Sequence, residues 1–172
     1  NPPDMAQEIQ RIAAQDWSAC DTPTLIALLK HADARLRQRA HWTLADRGSS
    51  VIALLAEVVA DDESIPRLHA LWALGIIDRR EGGNDEALKP IRDVLWDEDP
   101  VIRASAARLL GDARDQIAID DLRQLVFDED LAVAAEAIMS LGKLQDVDSI
   151  DAIAEVLWSV PEDPFLRHAC VF

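Results

Sequence analysis

Apolar residues recur along the chain at helical spacing, and the pattern returns about every 30 residues. In each of the four complete copies, an apolar residue precedes an anchor position, a small residue follows the anchor by three and a leucine follows it by seven. These positions are four residues apart, so they share one face of a helix. The anchors are residues 37, 67, 103, 134 and 167, with alanine at 134 and arginine elsewhere. The pattern predicts an all-α protein with one buried seam per repeat.

A second apolar run lies upstream of each anchor helix, so every repeat is predicted to be a helical hairpin. The first helices are predicted near 23–30, 50–60, 85–96, 117–127 and 148–158. The second helices are predicted near 34–46, 64–77, 100–111, 131–142 and from 164 onward. A leading helix is predicted within residues 4–14.

Acidic residues mark the predicted starts of the second helices. Each lies four residues before its anchor, where a carboxylate can accept a hydrogen bond from the first turn of the helix. In Asp99-Pro100 and Asp163-Pro164, the proline takes the first helical position, where its missing N–H costs nothing.

Glycines mark the predicted helix ends. Gly75, Gly111 and Gly142 lie eight residues after their anchors, where we expect left-handed C-terminal caps. The longest linker is predicted at 78–86. It contains two adjacent glycines, so we expect a flexible joint there.

A single hairpin of this size cannot bury its apolar faces, so neighbouring hairpins must stack into an α-solenoid. Residues 1–21 are predicted to form an N-terminal lead-in helix, and residues 22–172 the solenoid. The repeats are expected near 22–47, 49–77, 84–112, 116–143 and 147–172, the last one truncated.

The second helices resemble the short HEAT-like repeat of the phycobilisome-lyase type. The third copy carries the resemblance most clearly, with Asp99, Ile102, Arg103, Ala106 and Leu110 at the family's spacing. The resemblance implies a right-handed superhelix of about five stacked hairpins, with the second helices lining the concave side. It also implies a ladder between repeats, formed by Asp33, Arg37, Arg67, Asp99, Arg103, Asp130, Asp163 and Arg167. Alanine at position 134 interrupts that ladder.

Composition agrees with helices and argues against nucleic-acid binding. The chain is 49% hydrophobic, has no tyrosine and carries a net charge of −15, which repels phosphate backbones. No apolar run reaches the length of a membrane span. Positive charge is concentrated in the first repeat, where we expect arginines to pair with Asp33 and Asp46. These arginines are Arg35, Arg37, Arg39 and Arg47.

The sequence offers no recognisable reaction centre. The nucleophile elbow, phosphate-binding loop and dinucleotide-binding motifs are all missing, and Cys20 and Cys170 lie at opposite ends of the chain. The histidines, at 31, 41, 69 and 168, have no metal-ligand spacing. Paired carboxylates lie in turns without an apolar pocket to raise a pKa. We therefore expect a protein that is not an enzyme and holds no cofactor or metal.

Five tryptophans are the strongest candidates for recognition. Trp42 and Trp72 each follow an anchor arginine by five residues, which points them toward the concave side. They could pack between repeats or contact a partner, since tryptophan contributes strongly at binding interfaces. The candidate partner-binding residues are Gln38, His41, Trp42, Leu68, Leu71, Trp72, Arg108 and Met139. Aromatic residues at the ends of the first helices, namely Trp96, Phe127 and Trp158, are predicted to lie in the core.

Acidic clusters fall in the same turn of successive repeats. They are residues 61–63, 97–99, 128–130 and 162–163. Stacking would place them on one negative edge, which could attract a basic partner or loosely held divalent cations. Alternatively, one acid in each cluster caps the next helix and the others keep the surface soluble.

The leading functional hypothesis is a non-catalytic interaction or scaffold module that binds a protein partner, or neighbouring domains of its own polypeptide. Segments 28–40, 67–74 and 165–169 also resemble the HEAT-like part of exported bacterial proteins that join a sugar-dehydrogenase propeller to a c-type cytochrome. That resemblance implies the alternative of a structural spacer excised from such an oxidoreductase. A third possibility is a phycobilin lyase accessory. We expect a cytoplasmic location for a free-standing chain and a periplasmic or exported one for the spacer.

Overall fold

The computed structural model describes residues 5–159 and 164–170. Within these ranges the chain forms eleven α-helices and no β-strand, which confirms the predicted all-α repeat fold. The helices are α1 Met5–Ala14, α2 Thr22–Leu28, α3 Ala34–Ala45, α4 Ile52–Val59, α5 Ser64–Glu81, α6 Asp85–Arg92, α7 Pro100–Ala113, α8 Ile119–Leu125, α9 Leu131–Leu144, α10 Ile150–Ser159 and α11 Pro164–Ala169. Short 3-10 turns precede α4, α8 and α10.

The described residues fall into two compact units, which divide between Ala87 and Leu88 inside α6. In unit 1, which ends at Ala87, α2 packs on α3, α4 packs on α5, and α3 packs on α5. In unit 2, which begins at Leu88, α7 and α8 both pack on α9, and α11 also contacts α9. Each unit is thus a stack of helices with its own core.

The predicted seam forms the core of both units. In α3, Leu36, Ala40 and Leu44 are fully or almost fully buried, as the spacing predicts. The corresponding seam residues of the later second helices are buried in the same way: Ala70 and Leu74 in α5, Ile102, Ala106 and Leu110 in α7, and Val133, Ala137 and Leu141 in α9. Burial of these side chains is the main stabilising contribution, at about 25 cal/mol for each Å² of apolar surface.

The predicted helix starts are largely confirmed. Asp33, Asp99 and Asp130 each accept a hydrogen bond from a backbone N–H two residues on, at 2.8–2.9 Å, and so cap α3, α7 and α9. Glu63 takes the corresponding place before α5, but its side chain makes no capping bond. Asp163 lies outside the described residues.

The predicted helix ends are wrong. Gly75, Gly111 and Gly142 all lie inside helices, which continue for two to six residues beyond them. The left-handed C-terminal caps are instead Gly82 with φ 73°, Arg114 with φ 55° and Gln145 with φ 59°. Glycine marks close helix packing at Gly111, where an added Cβ would meet the backbone of Ser140 at 2.7 Å.

The predicted linker at 78–86 is also shorter than expected. Helix α5 continues to Glu81, and α6 begins at Asp85, so three residues connect the two helices. Buried Asp78 accepts a hydrogen bond from the backbone N–H of Asn84 at 2.7 Å, which closes this connection. No described helix is both long enough and apolar enough to cross a membrane.

Candidate partner-binding surface

Trp42 on α3 and Trp72 on α5 lie partly at the surface of unit 1, with 51% and 39% of their residue areas exposed. Each ring also has a packed side. The ring of His41 makes edge contacts with both, at centroid distances of 5.8 Å to Trp42 and 5.9 Å to Trp72. His69 contacts Trp72 at 4.9 Å. Packing between helices and contact with a partner are therefore both possible for each tryptophan, because each ring packs on one side and is exposed on another.

A buried histidine pair lies beneath the tryptophans. The Nδ1 atoms of His41 and His69 are 2.9 Å apart, and the Nε of Arg37 donates to Nε2 of His69 at 3.2 Å. Since Nε2 of His69 accepts, its neutral ring carries the proton on Nδ1 and donates it to His41. Burial lowers the pKa of both histidines to about 4, with the positive charge of Arg37 adding to the effect at His69. The pair is therefore neutral at pH 7.

Arg37 also ties the histidine pair to the hairpin turn before α3. Its Nη1 donates to the carbonyl oxygens of His31 and Ala32 at 2.7 and 2.9 Å. One guanidinium thus satisfies two turn carbonyls and orients His69. The anchor arginine therefore fixes the layer on which Trp72 rests.

A cleft of about 470 Å³ adjoins Trp42 in unit 1. It is lined by Trp17, Ser18, Arg39, Trp42, Thr43, Asp46 and Arg47. The guanidinium of Arg39 lies over the Trp17 ring, 5.1 Å from its centroid, a cation–π arrangement. Trp17 is buried, and its Nε1 has no hydrogen-bond partner within the described ranges. Sequence reasoning missed this residue, because it lies outside the repeats.

The remaining predicted residues divide by burial. His41 and Leu71 are buried, so neither can offer side-chain surface to a partner. Gln38 is exposed and Leu68 is half-buried, so both remain candidates in unit 1.

Two further predicted residues lie in unit 2. Arg108 is exposed and lines a groove of about 220 Å³ between α7 and α9, together with Ala104 and Glu136. Burial raises the pKa of Glu136, and the nearby charge of Arg108 opposes that rise. Met139 is half-buried on α9 and does not line this groove.

The predicted ladder residues make different contacts from those that the resemblance implies. Arg103 donates to the carbonyls of Asp97 and Glu98 in its own turn, and forms a two-pronged ion pair with Asp128 at 2.7 and 2.9 Å. Arg67 donates to the Val59 carbonyl at 2.7 Å. The ladder aspartates Asp33, Asp99 and Asp130 cap their own helices instead, as described above. Arg167 is exposed on α11.

A second set of ion pairs, which sequence reasoning missed, links successive repeats of unit 2. Arg92 contacts Asp115 at 3.3 Å, and Arg123 contacts Asp146 at 2.5 Å. Both the arginines and the aspartates are 31 residues apart. That shared spacing is the signal that could have revealed the pairs.

The acidic turns are mostly occupied by structural contacts. Asp97 and Asp128 accept the backbone N–H groups of Asp99 and Asp130, at 3.0 and 2.8 Å. In unit 1, Asp61 and Glu63 both bind Lys30, at 2.9 and 2.8 Å. No group of three or more His, Cys, Asp or Glu side chains able to hold a metal is found among the residues described. These observations favour the capping alternative for the aspartates.

The arginines of the first repeat are only partly paired as expected. Arg35 binds Asp33 at 2.6 Å, as predicted, but Asp46 binds Arg80 at 2.5 Å. Arg47 instead donates to the Thr22 hydroxyl and the Cys20 carbonyl. These contacts hold the segment before α2 against the end of α3.

The core assignment of Trp96, Phe127 and Trp158 is wrong. Their exposed fractions are 57%, 54% and 82%. Leu95 and Val126, which immediately precede Trp96 and Phe127, are fully buried instead. Trp96 and Phe127 lie in turns beyond the ends of α6 and α8, so the helical spacing used for the prediction does not hold at these positions.

Comparisons with known proteins bear on the fold. A sequence profile described as HEAT repeats matches residues 22–105 and 88–172. The structure of the complex of CpcE and CpcF of phycocyanin lyase from Nostoc sp. PCC7120 gives a TM-score of 0.66 at 22% identity. That match covers 91% of this chain and 65% of the other, so this chain spans just under two thirds of its length.

A crystal structure of an engineered protein, Northeast Structural Genomics Consortium target OR329, gives a TM-score of 0.55 at 21% identity. That match covers 96% of this chain and 85% of the other. No curated protein sequence matches. At these identities the two structures inform the fold and leave the activity open.

Proposed function

The chain belongs to the HEAT-repeat family, and from this premise we propose that it is a non-catalytic module that binds a protein partner through Trp42 and Trp72. The observation that carries the proposal is a pair of half-exposed tryptophan rings held on a buried histidine layer. The partner is a separate protein or a neighbouring domain of the same polypeptide.

Pre-ordering of the two rings supports a binding role. A tryptophan already fixed by edge contacts loses little side-chain entropy when a partner covers it. His41 contacts both rings and His69 contacts one, so the free faces of Trp42 and Trp72 are presented in defined orientations. Such rigid aromatic anchors are typical of the residues that dominate interface energies.

The adjoining cleft adds polar recognition to the apolar surface. Arg39 and Arg47 line it beside Trp42, in a chain whose net charge is otherwise strongly negative. The guanidinium of Arg39 lies over the Trp17 ring and is a suitable partner for a carboxylate of the bound protein. A partner segment with an acidic side chain next to an apolar one would fit both features.

Protein binding also fits the structural neighbours. The chain similar to this one at a TM-score of 0.66 was solved as a complex of two proteins, CpcE and CpcF. From that complex we take only the expectation that this chain, too, binds a protein partner. Lyase activity is not part of the proposal.

The test is quantitative partner capture with the full chain as bait. Extracts of the producing organism are passed over the wild-type chain and over a Trp42→Ala/Trp72→Ala variant, and bound proteins are compared by mass spectrometry. We expect one or more specific partners to be depleted at least tenfold by the double substitution. That factor corresponds to the loss of about 1.4 kcal/mol of binding free energy, modest for two tryptophan anchors.

Leu54→Ala is the matched control, because Leu54 is a large exposed apolar residue of α4 in the same unit. It should leave the partners unchanged. All variants are first checked for native helix content by circular dichroism. Equal capture of every specific partner by the folded double variant would reject the proposal.

A further inference from the structure

Unit 2 carries three exposed aromatic residues at a constant interval along the chain. Trp96, Phe127 and Trp158 are separated by 31 residues in each step, the spacing of the repeat in this unit. We name these three residues the aromatic row. Trp96 and Phe127 lie in the turns after α6 and α8, and Trp158 lies in α10.

The repeats of unit 2 are held in register, so the row is regular. Arg92 pairs with Asp115, and 31 residues later Arg123 pairs with Asp146. Leu95 and Val126, one residue before two members of the row, are both fully buried. Packed helices lie about 8–10 Å apart, axis to axis, so we expect a step of about this size from one repeat to the next. On that expectation the aromatic rings recur at intervals of about 10 Å.

The fold itself does not require aromatic residues at this position. In the first two repeats, which belong to unit 1, Lys30 and Ala60 stand seven residues before their anchors, as Trp96 and Phe127 do in unit 2. Exposed aromatic surface is disfavoured in water, and regular patches of it mark interaction sites. The row thus points to a ligand of unit 2.

Charge around the row selects a basic ligand. Unit 2 has 18 acidic residues against 8 basic ones. Each turn that follows a member of the row is acidic, with exposed Glu98 after Trp96 and exposed Glu129 after Phe127. The nearby Arg103 is already committed to Asp128. A partner that covers the row would therefore meet a negative border.

We propose that the aromatic row docks a basic amphipathic helix of a protein partner. Seven residues of an α-helix rise about 10.5 Å, which matches the interval expected between members of the row. A helix with apolar residues at every seventh position would place one side chain against each ring. Lysines or arginines on its flanks would face Glu98 and Glu129. This surface involves neither Trp42 nor Trp72 and is independent of the function proposed above.

The probe is a synthetic helix-forming peptide of about 20 residues, rich in alanine and lysine, with leucine at every seventh position. Binding to the full chain is measured by fluorescence anisotropy of a label on the peptide. A second peptide has the same composition with its leucines scrambled around the helix. We expect the ordered peptide to bind at least tenfold more tightly than the scrambled one, because only it aligns with the row.

Variants of the chain then locate the site. Trp96→Ser/Phe127→Ser/Trp158→Ser should weaken binding of the ordered peptide at least tenfold and retain native circular dichroism, because all three side chains are exposed. Glu98→Lys/Glu129→Lys should weaken binding and reduce its salt dependence. Trp42→Ala/Trp72→Ala should bind like wild type.

Three results would overturn the proposal. They are absence of binding by the ordered peptide, equal affinity of the two peptides, and unchanged affinity in the folded triple variant. Equal affinity would mean that charge alone attracts the peptide. The row could fail in this way while the partner capture by Trp42 and Trp72 succeeds, so the two proposals are tested separately.

Discussion

The backbone of Gly111 in α7 lies directly against Ser140 in α9. A Cβ at position 111 would come within 2.2 Å of the Ser140 Oγ and 2.7 Å of its Cα. The same serine donates its hydroxyl to the Ala107 carbonyl of α7 at 2.9 Å. The two helices therefore touch through backbone and a hydrogen bond, which fixes their spacing in unit 2.

Gly111→Ala should destabilise the protein strongly. The new methyl cannot be accommodated by rotating a side chain, because backbone atoms of Ser140 are in its way. Overpacking of this kind costs about 1–3 kcal/mol and here should lie at the upper end. The free energy of unfolding, from urea denaturation, measures the effect.

Gly82→Ala provides the control for Gly111→Ala. Substitution of Gly82 is also unfavourable, but for a different reason. Its φ of 73° is left-handed, while the space around it is open. Its cost should be limited to about 1–2 kcal/mol of backbone strain. An alanine at 111 that costs less than one at 82 would contradict the packing argument.

Arg103→Ala should be among the most damaging substitutions at a charged residue. It would remove the cationic partner of Asp128 and the donor to two turn carbonyls in a buried setting. Breaking a buried ion pair by removing one partner costs about 3–5 kcal/mol. The measurement is again the free energy of unfolding.

A double-mutant cycle tests the contact between Arg103 and Asp128. Arg103→Ala/Asp128→Ala should be less destabilising than the sum of the single substitutions, because the second change removes an already unpaired charge. Strict additivity would show that the ion pair makes no coupled contribution. Arg35→Ala, which breaks the exposed pair with Asp33, should cost about 1 kcal/mol or less.

Stability separates the surface tryptophans from the buried one. Trp42→Ala and Trp72→Ala should each cost about 1–2 kcal/mol, since a large part of each ring is already exposed in the folded state. Trp17→Ala should cost about 3–5 kcal/mol, the range for a buried aromatic residue. Thermal and urea denaturation give the comparison. A loss at Trp42 or Trp72 equal to that at Trp17 would assign the residue to the core.

The features predicted correctly are those that depend on local chemistry. The seam through Leu36, Ala40 and Leu44 and the cap by Asp99 follow from spacing and side-chain type alone. The all-α repeat fold follows from repetition of that pattern. Such signals are present within one helix, so a single sequence reveals them.

The errors concern contacts between helices. Gly111 is the residue type expected at a helix C-cap, but its role is close packing against Ser140, which lies 29 residues further along the chain. Trp96 carries the hydrophobicity of a core residue, yet it is exposed in the turn after α6, next to buried Leu95. Neither distinction can be made without the neighbouring hairpin, because burial depends on what covers a face.

The histidine pair predicts a loss of stability in mild acid. Burial lowers the pKa of His41 and His69 from 6.5 to about 4 in the folded protein. Between these values the unfolded chain binds more protons than the folded one, so stability falls as pH decreases from about 6.5 to 4 and is fully retained above this range. The two rings together should cost roughly 3 kcal/mol between pH 7 and 5. The measurement is the urea-unfolding free energy at both pH values.

Substitution with glutamine isolates the histidines from other titrating groups. His41→Gln/His69→Gln keeps polar side chains at both positions but removes the titration, so its unfolding free energy should change much less over this pH range. The carboxylates of Asp61, Asp128 and Asp146 titrate at lower pH. Burial acts most strongly at Asp128, where it raises the pKa, but hydrogen bonds from Arg103 and the backbone of Asp130 lower that pKa further than burial raises it. At Asp61 and Asp146, hydrogen bonds from Lys30 and Arg123 lower the pKa in the folded state. Their contributions are lost only below about pH 4. An equally steep decline in the double variant would show that the pair is not the acid-sensitive element, and Trp72 would then rest on a layer insensitive to pH.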